Sequence, residues 1–432
     1  MLSVFFVFLT LALVMFLVFK KVNIVIASLT AAILLALLDR QDVLTAMTDT
    51  FMAGASNYIK NFFLLFFVSA LFGKVMESTG AAAAIARGLA NLLGEKFAIL
   101  GVLFAGMVLC YGGISALVIA FTMYPLALAV FKRANLPRRL IPGAIAAGCF
   151  TFAAAALPGT PQTINVTPTS YLGTTVTAAP ALGIICGIIG IALTCGYMYW
   201  ESARARGKGD GFEADTATLE ALSKADEMGS GIHPLVALIP IVVVIVLLVA
   251  LKANVLLSML IGSAACGAIF FKNVKDVLGM LEDAVKSAMN AAVTTGCIVG
   301  YGAVVSASTG YATLSAALTG MNTSPLIAYG LTTTVLAGAA GSGTGGLAIA
   351  LNSLAPQYLS MGIPAEVLHR IGTLCAIGLD SLPHNGAVVV LLTLAGMTHK
   401  DSYKQIFITT VVFTVVVAII GIILAAILYP IG

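Results

Sequence analysis

Asp380 and His384 lie within GLDSLPHNGA, residues 378–387, beside Ser381 and Asn385, in a chain that is 60% hydrophobic and 9% charged. A carboxyl and an imidazole one helical turn apart can exchange protons near neutral pH, and the neighbouring hydroxyl and amide can hold an anion. Such a stretch is costly in a bilayer. An ionised aspartate at the membrane centre costs about 2.5–3.5 kcal/mol on insertion scales, and a proline with two glycines weakens the helix that would carry it. A carboxyl held in a low-dielectric cavity can trade a proton with its surroundings. Asp380 and His384 are therefore the expected proton-coupling residues. A loop just outside the bilayer is the plainer alternative for the same stretch.

Three more polar interruptions occur: YGGIS (111–115), LPGTPQTIN (157–165) and GSGTGG (341–346). The expected substrate-binding groups are Gly113 and Ser115; Thr160, Gln162, Thr163 and Asn165; Ser342, Gly343 and Thr344; and Ser381 with Asn385. GSGTGG allows close backbone approach, yet no Gly-Lys-Ser/Thr follows, which excludes a phosphate loop. Small-residue helix packing is its alternative, and an extramembrane turn is the alternative for 157–165. None of the four breaks contains Lys or Arg. A carboxylate would then be held by hydroxyls, Asn385 and the backbone N–H groups at helix starts.

A membrane-embedded hydrolase using Ser342 or Ser381 with His384 is a remote alternative, because no acid-oriented triad or HExxH-type ligand set accompanies them. Neither enzyme activity nor a metal or cofactor is expected. The seven cysteines show no CxxC spacing and read as small buried hydrophobes. Glu77 is spaced for a local pair with Lys74, and Glu366 for one with Arg370.

The elements that must position these residues are apolar. A soluble chain carries roughly 25% charged residues, so this one, with a mean hydropathy of +1.07, reads as a polytopic membrane protein. Leu2 to Val18 has no basic region before it and no cleavage-type site after it, and reads as a retained helix. A net charge of +4 is too small to suggest nucleic acid. The apolar segments fall near 2–19, 22–38, 59–78, 97–131, 140–157, 176–200, 233–251, 253–271, 287–307, 326–355, 366–396 and 405–429. One long polar stretch, Glu201 to Ile232, divides them and reads as a loop with a short helix at Thr216–Met228.

The two halves resemble each other. DVLTAMTDTFMAGA (42–55) is matched by DVLGMLEDAVKSA (276–288), and FGKVMESTGAAAAIA (72–86) by YGAVVSASTGYATLSA (301–316). YGGISALVIAF (111–121) and LPGTPQT (157–163) are matched in order by GSGTGGLAIAL (341–351) and LPHNGA (382–387). The connector bearing Lys132, Arg133, Arg138 and Arg139 corresponds to the uncharged Pro356–Pro364, whereas Lys272, Lys275 and Lys286 surround the second DVL. Since Lys and Arg favour the cytoplasmic side, equivalent loops lie on opposite sides. The repeats are inverted, which requires an odd number of crossings per half. Re-entrant hairpins at about 97–131 and 326–356, tips near Tyr111–Ser115 and Gly341–Gly346, satisfy this; pairs of short ordinary helices are the alternative.

The expected fold is all-α, with two inverted repeats of about five spans plus a hairpin, and with broken helices meeting at mid-membrane. The N-terminal repeat covers 1–200 with a broken helix at about 140–165. A cytoplasmic linker covers 201–232, and the C-terminal repeat covers 233–432 with a broken helix at about 366–396. Both termini then lie outside. This is the pattern of secondary transporters. Asp380 has Ala155 as its repeat equivalent, so the acid is an asymmetric addition to the frame.

LFGKVMESTGAAAAIA (71–86), GSGTGGLAIAL (341–351) and GLDSLPHNGAVVVLL (378–392) resemble the gluconate permease (GntP) family, and more loosely the wider ion transporter superfamily. The likeness extends over essentially the whole chain. It implies proton-coupled import of a small organic acid anion, such as gluconate, glycerate, 3-hydroxybutyrate or D-serine, across the cell inner (plasma) membrane. It also implies a homodimer embedded in lipid and an elevator-like motion. Polar residues in the breaks are few for a polyhydroxylated acid, which favours a short hydroxy acid such as 3-hydroxybutyrate. The alternative is a sodium-coupled symporter or exchanger on the same fold, with hydroxyls and broken-helix carbonyls holding the Na+.

Overall fold

The computed structural model describes residues 2–20, 22–213, 231–274, 276–313, 324–383 and 385–429, and every regular element among them is helical. The first half comprises α1 (Leu2–Phe19), α2 (Ile24–Leu38), α3 (Val43–Ser78), α4 (Ala81–Leu93), α5 (Ala98–Tyr111), α6 (Ala116–Arg133), α7 (Ile141–Cys149), α8 (Phe152–Ala155), α9 (Thr163–Leu172) and α10 (Pro180–Gly207). The second comprises α11 (Pro234–Ala250), α12 (Val255–Ile269), α13 (Val277–Ser306), α14 (Pro325–Ala340), α15 (Gly343–Ser360), α16 (Ala365–Ala376), α17 (Gly386–Leu394) and α18 (His399–Leu428). The order repeats. Three helices, followed in the first half by α4, lead to a helical hairpin (α5–α6, α14–α15), then a broken helix (α7 to α9, α16 to α17), then one long helix.

The duplicated DVL motifs start two long framework helices, α3 and α13. Asp42 accepts the Thr45 N–H at 2.7 Å and Asp276 the Gly279 N–H at 2.8 Å, each capping its helix. The apolar pattern alone begins these helices at 59 and 287. The caps and tolerated polar first turns, with Lys286 paired to Glu282 at 3.5 Å, extend them back to Val43 and Val277. The two cross closely: a Cβ on Gly54 would meet Ala303 Cβ at 2.7 Å, and one on Gly300 the Phe51 carbonyl at 2.7 Å. Small residues at such a crossing let backbones approach without polar side chains. In symmetric fashion α2 packs on α13 and α12 on α3.

α4 is not among the expected segments. Its alanine run, Ala81–Ala86, is wholly buried, and it meets α5 at 112°. α5 has 14 residues and α14 has 16, about 21 and 24 Å long, short of a hydrocarbon core of about 30 Å. α6, by contrast, is itself of spanning length, so the first hairpin has unequal arms. Gly341, at φ +58°, closes the second hairpin, where a Cβ on Gly346 would run into the Ala337 backbone.

Among the described residues, five helices are long and apolar enough to cross a membrane by themselves: α3, α6, α10, α13 and α18. Large side chains such as Phe5, Ile188, Ile423 and Ile427 point outward from the bundle, as lipid contact requires. The chain is an all-α polytopic membrane protein. The start of the linker is tied down, with Arg139 paired to Asp210 at 2.6 Å and Asn135 accepting the Phe212 N–H at 3.0 Å. The expected helix at Thr216–Met228 lies outside the described residues. Lys74 pairs with Glu77 at 3.0 Å.

Candidate functional site

In the first half the break between α8 and α9 is bound to the tip of the α5–α6 hairpin. Gln162, the residue preceding α9, donates its amide to Cys110 O at 2.7 Å and Ile114 O at 2.9 Å. Thr160 donates to Tyr111 O at 3.2 Å, and the Tyr111 hydroxyl donates to Pro158 O at 2.8 Å. Gly113, at φ +95°, sits where a Cβ would meet Pro161 at 2.6 Å. Ser115 caps α6, accepting the Val118 N–H at 3.5 Å.

The second half repeats this arrangement with different chemistry. Asn385 caps α17 by accepting the Ala387 and Val388 N–H groups at 2.7 and 3.0 Å. Its amide donates to Gly341 O at 3.0 Å in the hairpin tip and to Asp380 O at 2.8 Å. Ser342 caps α15 by accepting the Gly345 N–H at 3.2 Å. The Asp380 carboxylate accepts from the Ser381 hydroxyl at 2.8 Å and lies against Gly343, the first residue of α15. The first two turns of α18 brace the break: Tyr403 donates to Ser381 O at 2.9 Å, and a His399 ring nitrogen lies 2.9 Å from Pro383 O.

The halves meet at Thr163 and Thr344, whose hydroxyls are 3.4 Å apart. A Cβ on Gly343 would meet Asp380 Oδ2 at 2.9 Å and Ile164 Cδ1 at 3.0 Å. Contact therefore runs unbroken from tip 111–115 through break 157–165 and tip 341–346 to break 380–387. The N-terminal ends of α9 and α15 face each other there, each with backbone N–H groups that its own helix cannot satisfy. Thr163, Ser342, Thr344 and Asp380 are half-buried at this junction.

Several expected ligands are committed elsewhere. Asn165 is fully buried: its amide donates to Thr160 O and Val176 O, both at 2.9 Å, and its oxygen faces His369 and Arg370 at 3.2 and 3.0 Å. All its hydrogen-bonding capacity is used. The same holds for Asn385, which is a cap and a tie between segments rather than a spare donor for an anion. Gln162 has spent its donors and retains only an acceptor. Thr160 is buried and bonded to Tyr111 O in the hairpin tip, and Ser381 is buried and bonded to Asp380 within its own break. Gly113 and Ser115 reach the junction only through break 157–165. His384 lies outside the described residues. As for the hydrolase reading, the histidines described near the breaks, His369 and His399, bond to Thr174 and Asn165 and to Pro383 O, and not to Ser342 or Ser381. No cluster of three metal-ligating side chains occurs among the described residues.

The sequence reading missed His369 and Arg370. The spacing suggested a Glu366–Arg370 pair, but Glu366 accepts the Ala179 N–H at 3.3 Å. Arg370, wholly buried, reaches across to the first half. It donates to Ala155 O at 2.9 Å, to Asn165 Oδ1 at 3.0 Å, and to Ala178 O from Nε at 3.2 Å and from a terminal nitrogen at 2.9 Å. Thr373 adds a bond to Ala155 O at 2.8 Å. The available signal was asymmetry. The offset that sets Asp380 opposite Ala155 also sets His369 and Arg370 opposite Ala144 and Ile145.

No family model matches the chain. Its fold is similar to that in the crystal structure of the Alcanivorax borkumensis YdaH transporter, described as having an unusual topology, with a TM-score of 0.59 over 90% of each chain. At 16% identity that likeness is one of fold. In sequence it is 36% identical to the Bacillus subtilis (strain 168) protein named Uncharacterized transporter YxjC, over 462 aligned positions spanning 95% of this chain and 96% of that protein. With that identity along nearly its whole length, and helices arranged as in a known transporter, the chain belongs to the transporter family that includes YxjC.

Proposed function

We propose that this transporter is a secondary carrier of the gluconate permease (GntP) type, importing a small carboxylate by proton symport across the inner (plasma) membrane. The observation that carries the reading is the junction of the α9 and α15 N-termini at Thr163 and Thr344, with the Asp380 carboxylate lying against Gly343 at the start of α15. Two converging helix N-termini favour an anion, and Ser342, Thr344 and Thr163 supply neutral hydroxyls that can also let it go. The small number of free polar groups favours a short hydroxy acid such as 3-hydroxybutyrate over gluconate. Asp380 is the coupling acid, taking a proton with the substrate and losing it on the inner side. The carrier works as a homodimer with an elevator-type motion, in keeping with the family it resembles.

A monoanion carried with one proton is electroneutral. Membrane potential, worth about 2.3 kcal/mol per charge per 100 mV, does not drive it, whereas a pH gradient does. Proteoliposome uptake of a hydroxy-acid panel under a pH gradient, a potassium-diffusion potential or a sodium gradient tests this. Asp380→Asn mimics the protonated acid, so binding survives without pH dependence while accumulation is lost. If Asp380→Asn concentrates substrate under a pH gradient as the wild type does, the coupling assignment fails. If sodium alone drives uptake, the sodium-coupled alternative replaces it.

A further inference from the structure

The Arg370 guanidinium is a buried cation without an ion-pair partner among the described residues. Its donors end on three oxygens: Ala155 O at the end of α8, Ala178 O just before α10, and Asn165 Oδ1 on the first turn of α9. Converging carbonyls of a broken helix, completed by a side-chain oxygen, are the chemistry by which carriers hold a monovalent coupling ion. The helix C-terminal end at Ala155 adds negative dipole character. The position is also shaped to admit the side chain. A Cβ on Gly183 of α10 would meet the Ala156 carbonyl at 2.5 Å and Arg370 Nε at 3.0 Å.

We propose that Arg370 is a built-in cation that fills the carbonyl-lined site of the first broken helix, where a mobile coupling ion would otherwise sit. The N-terminal half then binds no free ion, and any coupling ion is handled in the other half, at the Asp380 end. Through Asn165, which also holds Thr160 O and Val176 O, the same guanidinium fixes the first turn of α9 and so the place of Thr163. Cutting the side chain back exposes a site for a free guanidinium-sized cation. This assignment concerns the ion count of the carrier read above, but its test needs no substrate.

The test is thermal unfolding of purified Arg370→Ala and wild type against ethylguanidinium chloride, which restores the atoms the substitution removes. The melting temperature of Arg370→Ala is expected to rise saturably with ethylguanidinium while that of the wild type does not, and tetramethylammonium, a cation with no N–H, is expected to leave both unchanged. Equal responses of variant and wild type, or no response of either, overturn the assignment. If Arg370→Ala cannot be purified, Arg370→Lys and Arg370→Gln are compared instead. Lys, which keeps the charge, is expected to melt closer to the wild type than Gln, and equal losses refute a role for the charge. A purely space-filling role predicts neither the chemical rescue nor the Lys–Gln difference.

Discussion

Asn385→Ala separates the two jobs assigned to that side chain. It removes the α17 cap, worth about 1 kcal/mol, and strips a donor from each of Gly341 O and Asp380 O. A buried carbonyl left without its partner costs about 1–3 kcal/mol; both residues here are half-buried, which places each near the lower end. The expected destabilisation is about 3 kcal/mol. Asn385→Ser keeps a cap acceptor but has no amide donors, so it should lose only about 2 kcal/mol. The cysteines offer the readout, because Cys110, Cys149, Cys186, Cys266 and Cys375 are buried and become reactive only on opening. Pulse labelling with a thiol-reactive fluorophore across a denaturant series gives both values. An Asn385→Ala variant within about 0.5 kcal/mol of wild type, the range of ordinary surface substitutions, would refute the view that this amide pins the hairpin to the break.

Other outcomes follow from the same geometry. Gly346→Ala drives a Cβ into the Ala337 backbone and should abolish monodisperse protein in size-exclusion chromatography, whereas Gly386→Ala meets nothing within 4 Å and should behave as wild type. Thr163→Val and Thr344→Val remove hydroxyls that share only a loose 3.4 Å contact. Each should leave stability within about 1 kcal/mol yet raise the uptake KM about 5–10-fold, the worth of one substrate hydrogen bond; unchanged KM with lost stability would reverse the reading. At the C-terminal end of α2, burial pushes the Asp39 carboxyl up, but hydrogen bonds from the Thr309 hydroxyl and N–H and from Gln41 outweigh it and hold the group below its usual value. A carboxyl depressed in the folded state contributes stability above its unfolded pKa of about 3.9 and loses it as pH falls. Thr309→Val should therefore narrow the stability gap between pH 6 and pH 3 (about one hydrogen bond's worth), and parallel pH curves for the two proteins would contradict it.

Much of the architecture was legible in the residues themselves. Hydropathy marked the spans, because a helix in lipid must be apolar over its whole length. The duplicated DVL, Gly-rich and Leu-Pro motifs marked the repeats, because capping aspartates and helix breakers act locally. Local chemistry also placed the four breaks. α4 escaped notice because its alanines are buried by neighbours rather than by their own hydrophobicity. What the tertiary structure decided was the use of each polar group. Asn165 and Asn385 are chemically alike to Thr163 and Thr344 as candidate ligands, yet partners distant in sequence exhaust the amides and leave the hydroxyls at the junction. Arg370 looked paired to a residue one turn away, and instead found carbonyls roughly two hundred positions earlier in the chain. A buried donor takes whichever acceptors the packed helices bring to it, and that neighbourhood exists only once both halves have folded together.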